Sequence, residues 1–103
     1  MKRKHLNAEA RADELLEVAV RVAAERGWSK MTRACIAEAA QVSEGLVSAR
    51  LGTMDALRRS VMRAAVKRRI VGIVAEGLAL RDRHAAKADD DLRAEAARRL
   101  SCR

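Results

Sequence analysis

The chain has 103 residues, no proline, and a formal charge of +8 from 22 Lys and Arg against 14 Asp and Glu. That length holds one domain with a modest core. Two cysteines exclude a disulfide framework, and no apolar run approaches the roughly 20 residues of a membrane-spanning helix. Ala, Leu, Arg and Glu dominate, a composition of helix rather than strand. With Trp28 as the single aromatic, the core has to be built from Leu, Val, Ile, Met and Ala. The excess of positive charge points to a polyanionic partner, nucleic acid ahead of an acidic membrane. Arg far outnumbers Lys, which suits recognition of phosphate and guanine by a planar fork; GC-rich coding would give the same bias.

Residues 1–8 read as a basic arm, in which Lys2, Arg3 and Lys4 either follow a phosphate backbone or form an ordinary solvated terminus. No apolar stretch follows the basic Met-Lys-Arg-Lys-His start, so a secretory signal is not expected. Residues 9–26 predict the first helix, with Leu15, Leu16, Ala19, Val20, Val22 and Ala23 as its apolar stripe. Its acids (Glu9, Asp13, Glu14, Glu17) come early and its bases (Arg21, Arg26) late, as the helix dipole favours. Gly27 is a natural stop. Trp28 is expected to pack back over the helix end rather than stack on a base.

Residues 32–51 carry the central pattern. Thr32 caps a short helix with Ile36, Ala37 and Ala40 on one face; Gln41-Val42 supplies a turn with Val42 as its buried plug; Ser43 caps a second helix containing Leu46, Val47 and Arg50. Two short helices joined this way, with small residues at their crossing, form a helix-turn-helix. Any small all-helical protein also contains helix pairs, so the local pattern does not stand alone.

Thr53 caps a fourth helix with Asp55 in its first turn, and Leu57, Val61, Ala64 or Ala65, Val71, Val74 and Leu78 continue the apolar period. Arg68 interrupts that face, and Gly72 and Gly77 weaken the helix, so a break is expected near 68–72 with a second segment running to about Arg81. Residues 70–80 are too apolar to face water. They pack on the first helix or meet their copy in a dimer, for which Ile70, Ile73, Val74 and Leu78 are the candidate interface. Residues 82–91 are polar. A last helix over 92–100 has only Leu92, Ala96 and Leu100 as a seam, to dock on a partner subunit or fray. The organisation expected is thus a basic arm (1–8), a helix-turn-helix domain (9–68) and a short helical dimerisation region with tail (69–103).

Cys35 and Cys102 lie far apart, and His5 and His84 sit near neither, so no metal site and no cofactor are expected. No paired carboxylates, Ser/His/Asp set or Gly-rich phosphate loop suggests an enzyme.

The run from Leu15 to Trp28, with its apolar pair, aliphatic stripe and Ala24-Glu25-Arg26-Gly27 followed by an aromatic, resembles the first helix of the TetR family of bacterial repressors. The resemblance continues through Thr32, Ile36-Ala37-Glu38, Ala40, Val42-Ser43 and Gly45, and into Leu51-Gly52-Thr53 and Asp55-Ala56-Leu57. It implies an all-α fold similar to the DNA-binding half of that family, followed by a short C-terminal helical extension. Ser48, Arg50 and Leu51 stand where the family usually has Tyr, His and Phe. Met54 replaces a common phosphate-binding Lys, and Glu44 a frequent Lys. On this reading Arg33, Ser43, Glu44, Val47, Ser48 and Arg50 face the groove, and Gly45 allows close approach. Thr32 and Ser43 double as caps and phosphate donors, and Lys30, Thr53 and Arg58 contact the backbone. Glu44 would accept from cytosine N4.

The family's members usually carry a large ligand-binding domain. The residues after the fourth helix are too few to enclose a pocket of several hundred Å³. The expectation is therefore a truncated, inducer-free, cytoplasmic bacterial repressor, of a kind suited to plasmids or phages. It would act as a homodimer on a palindromic double-stranded DNA operator with half-sites about 34 Å apart. The alternative is a protein-interaction module, antirepressor- or antitoxin-like, on the same scaffold.

Overall fold

The computed structural model describes residues 8–101, and all their regular structure is helical. Helix α1 (Ala8–Arg26) ends where Gly27 takes φ +111°, a conformation that side chains disfavour. A single 3-10 turn (Trp28–Lys30) leads into α2 (Arg33–Ala40) and α3 (Glu44–Leu51). Helix α4 (Met54–Arg68) stops at Arg69, which sits in the left-handed region at φ 58°. Helix α5 (Val71–Ala79) follows, then a short α6 (Arg83–Ala86) and α7 (Asp90–Ser101). The predicted break near 68–72 is therefore present. The last helix starts two residues earlier than expected, and α6 arises within the stretch read as merely polar. Both are explained by aspartates. Asp82 accepts from the N–H groups of His84 (3.0 Å) and Ala85 (2.9 Å), and Asp89 from that of Leu92 (2.8 Å). Each satisfies backbone donors that a helix start leaves free.

The stripe of α1 packs on α2, α3 and α4 through Ala19, Val20, Val22 and Ala23. Helix α5 lies against α4, α6 and, most extensively, α7. Two expectations are corrected here. Ile73 is 2% exposed and Val74 is fully buried, so neither can form a dimer interface; Ile70 and Leu78 are half-buried against the same core. Helix α7 neither frays nor waits for a partner subunit: its Leu92 and Ala96 are buried, and α7 covers α5. An apolar segment finds the nearest cover, and here its own chain supplies it at no cost in association entropy.

Gly77 shows how tightly this half is packed. A Cβ there would lie 2.8 Å from the Cβ of Ala85 and 2.4 Å from Cε of Met62. The glycine that weakens α5 as a helix lets α4, α5 and α6 approach.

Candidate nucleic-acid interface

The helix-turn-helix is built from three hydroxyl caps and one buried valine. Thr32 Oγ1 accepts from the N–H of Cys35 (3.1 Å), Ser43 Oγ from Leu46 (3.0 Å) and Thr53 Oγ1 from Ala56 (3.1 Å). As acceptors, all three keep their own O–H to donate, and all three residues are exposed. At the turn, Gln41 takes φ 60° and Val42 N–H reaches Ala37 O at 3.0 Å. Val42 is half-buried against the core rather than a fully enclosed plug. Fully enclosed instead is Val47, at 0% exposure. It was expected to face the groove. The structure corrects this: Val47 is the side chain that fastens α3 to the core.

With Val47 pointing inward, the helical period of about 100° per residue turns Gly45 and Ala49 outward with Ser48 on one flank, while Arg50, about 60° round from Val47, leaves the helix nearer the core side. All four are exposed, as are Ser43 and Glu44 at the helix start. A Cβ on Gly45 would meet only Ser43 Oγ, at 3.8 Å, so the space over this face is open. Ala49 was missing from the sequence-based set, which weighted polar side chains. Counting the period from Val47 would have found it.

The other predicted residues are dispersed around this face. Arg33, in the first turn of α2, is half-buried, and its Nε is enclosed with no hydrogen-bond partner among the described residues. Arg58 pairs with Asp55 (3.7 Å), and its carbonyl accepts from the indole N–H of Trp28 (3.0 Å). Trp28, 7% exposed, is thus an anchor in the core, as the sequence suggested. Lys30 borders a hollow shared with Gly72, Glu76 and Arg99, on the α5–α7 side of the molecule. The basic arm Lys2, Arg3 and Lys4 lies outside the described residues.

Glu76 is the structural residue that the sequence concealed. Its carboxylate accepts from the N–H of Trp28 (2.6 Å) and from both the N–H (2.9 Å) and hydroxyl (2.6 Å) of Ser29. Burial acts to raise its pKa. The Ser29 hydroxyl, the two backbone donors and the Lys30 charge outweigh that and hold it below the ordinary carboxylate value. The turn that delivers α2 is thereby tied to α5 across 47 residues of chain.

Cys35, also in the first turn of α2, receives an N–H from Arg26 at 3.7 Å, and the Thr32 hydroxyl lowers its pKa against the opposing effect of burial. Among the described residues no three His, Cys, Asp or Glu side chains are placed to hold a metal, and no helix is long and apolar enough to cross a membrane.

Comparison with known proteins places the central residues. Neither the curated proteins nor the solved structures give a match. Residues 15–61 match the family model described as bacterial regulatory proteins, tetR family. The match opens at Leu15, where the buried stripe of α1 begins, spans α2 and α3, and ends at Val61 within α4. Residues 15–61 are therefore similar to the helix-turn-helix domain of the bacterial regulatory proteins of the tetR family.

Proposed function

We propose that this DNA-binding regulator is a repressor that reads a palindromic operator sequence-specifically, with the outer face of α3 in the major groove. The observation that carries this reading is the open stripe of Gly45, Ser48 and Ala49, edged by Arg50 and held from behind by the buried Val47. The chemistry of that stripe matches what a groove displays. Arg50 forks onto guanine O6 and N7 or onto a phosphate; Ser48 donates or accepts; the Ala49 methyl meets a thymine methyl; Glu44 accepts from cytosine N4. The hydroxyls of Thr32, Ser43 and Thr53 donate to phosphates and set the register.

A helix of eight residues reads only a few base pairs, so two protomers on symmetric half-sites about 34 Å apart supply the discrimination. Ile73 and Val74 are not the surface that pairs them, since both are buried within the protomer. The operator's own symmetry brings the two copies together, and the protein is a monomer when free of DNA.

The test is selection from random duplexes at near-physiological salt, with the mass of the free protein and of the complex measured by sedimentation. A palindromic consensus carrying two protomers, from a monomeric free protein, is expected. Recovery of no consensus, with affinity that collapses as salt rises, would reduce the interface to phosphate attraction and favour a protein partner for the same scaffold.

A further inference from the structure

Helix α4 carries Arg59, Arg63 and Lys67 at i, i+4 and i+8, and therefore on one face. They span about 12 Å of helix axis, the rise of three to four nucleotides along one DNA strand at about 3.4 Å each. Beside them the α5–α6 corner and α6 bring up Arg81, Arg83 and Lys87. An open hollow of about 450 Å³ joins Arg58 and Arg59 to Arg81, Arg83 and His84, and a second hollow joins His84 and Lys87 to Arg63 and Lys67. None of the six cations just named on this ridge forms an ion pair with a carboxylate among the described residues. The two acids bordering it are already engaged, Asp55 with Arg58 and Asp82 with the first N–H groups of α6.

Two further features single out the corner. Arg81 holds φ +62°, a conformation that glycine or asparagine adopts more cheaply. Arg69, the other arginine in that conformation, is bound to Asp89 at 2.7 Å, whereas Arg81 has no such partner. Nε2 of His84, which borders both hollows, is enclosed without a hydrogen-bond partner among the described residues. Unpaired cations are groups that an array of anionic oxygens would complete.

We infer that this ridge, Arg59, Arg63 and Lys67 with Arg81, Arg83 and Lys87, binds the phosphate backbone of the duplex flanking the operator. The inference rests on the DNA-binding reading above and extends it to residues beyond Val61, where the family match ends. Duplex DNA is the occupant that continuity favours. Asp55 and Arg58, in the hollow beside Arg81, follow directly on Thr53, whose hydroxyl belongs to the interface of α3. The ridge therefore begins on the helix whose cap belongs to that interface, and its first hollow joins Asp55 and Arg58 to Arg81 and Arg83.

The test compares the wild type, the double variant Arg81→Gly with Arg83→Gln, and Arg50→Ala. Affinity is measured over a salt series for the selected operator with and without flanks of about ten base pairs, and for a scrambled duplex. The double variant should lower the slope of log K against log salt by about 1.8 and weaken operator and scrambled duplex by the same factor, roughly 60-fold at 0.1 M salt. Trimming the flanks should weaken the wild type more than the double variant, which keeps only four of the six ridge cations. Its melting temperature should not fall, because glycine at 81 relieves the backbone, whereas a corner held by these arginines for structural reasons would melt earlier. An unchanged slope in a double variant, on a duplex where Arg50→Ala loses affinity, overturns the ridge and leaves the α3 reading standing. A slope lowered in the double variant, when the wild type shows no sequence preference, upholds the ridge and overturns the α3 reading. Absence of any duplex affinity overturns both.

Discussion

A hydroxyl that caps a helix still has a proton to give, and the use of three such hydroxyls around α3 makes the same residues structural and available to a phosphate. Val47 and its neighbours divide the roles differently. Val47 is fully buried and Arg50 is exposed, three residues apart on one helix. Arg50→Ala should weaken operator binding by about 1–3 kcal/mol and leave the melting temperature unchanged; an operator titration beside a thermal melt separates the two. Val47→Ala removes two methyl groups from the core, and with them about 1.5–3 kcal/mol of burial and packing. It should lower the melting temperature first and lose DNA affinity only in proportion to the folded fraction. If Val47→Ala melts like wild type but binds poorly, Val47 faces the groove after all.

At the scale of the element, the turn before α2 is positioned by a carboxylate from α5. Glu76, Glu17 and Asp89 all have pKa values held below their ordinary ones: Glu76 by its ring of donors against burial, Glu17 by the Arg68 guanidinium, and Asp89 by that of Arg69. A carboxylate whose folded pKa is depressed contributes stability that is complete above its unfolded pKa and is lost as pH falls through the folded one. Stability should therefore hold from neutrality down to about pH 5.5 and decline below the ordinary Glu value of 4.5. Glu76→Gln keeps the shape but turns an amide toward N–H donors, and should cost about 1–3 kcal/mol at pH 7. Its melting curve should converge on that of the wild type only in acid below the depressed folded pKa, where the native carboxyl is protonated too. A gap between the two that persisted unchanged into acid would mean that Glu76 acts by packing rather than by charge. Glu17 and Asp89 are exposed, and their ion pairs contribute less.

At the scale of the whole molecule, α7 closes the core that α4 and α5 begin. Leu92 is 1% exposed and Ala96 fully buried. Leu92→Ala should destabilise the fold by about 2–5 kcal/mol, in one cooperative transition that carries the helix-turn-helix with it. This is measurable by denaturant unfolding followed at Trp28 in the DNA-binding half. A Trp28 transition unmoved by the substitution would show the C-terminal helices to be a separable appendage. The ridge along α4 and α6 depends on this closure as well, since α6 is seated against α4 and α5.

The caps, the breaks and the helix-turn-helix were legible because they rest on local chemistry. Thr32, Ser43 and Thr53 each serve an N–H three residues on, and Gly27 stops a helix wherever the chain goes next. The resemblance running from Leu15 to Leu57 was legible for the same reason: it lies in one continuous stretch. What could not be read locally was which cover each apolar face would find. Val47 looks the same in sequence whether it faces a groove or a core, and Ile73 and Val74 read equally well as an interface between copies. Burial is decided by what packs opposite, and that lies far away in the chain, with Leu92 over α5 and Glu76 at the turn after α1. The sequence by itself determined the helices, most of their ends and the likeness of residues 15–61 to the tetR family. Tertiary structure alone decided which face of α3 is free, that α5 is spent inside the protomer, and that six scattered cations line one ridge.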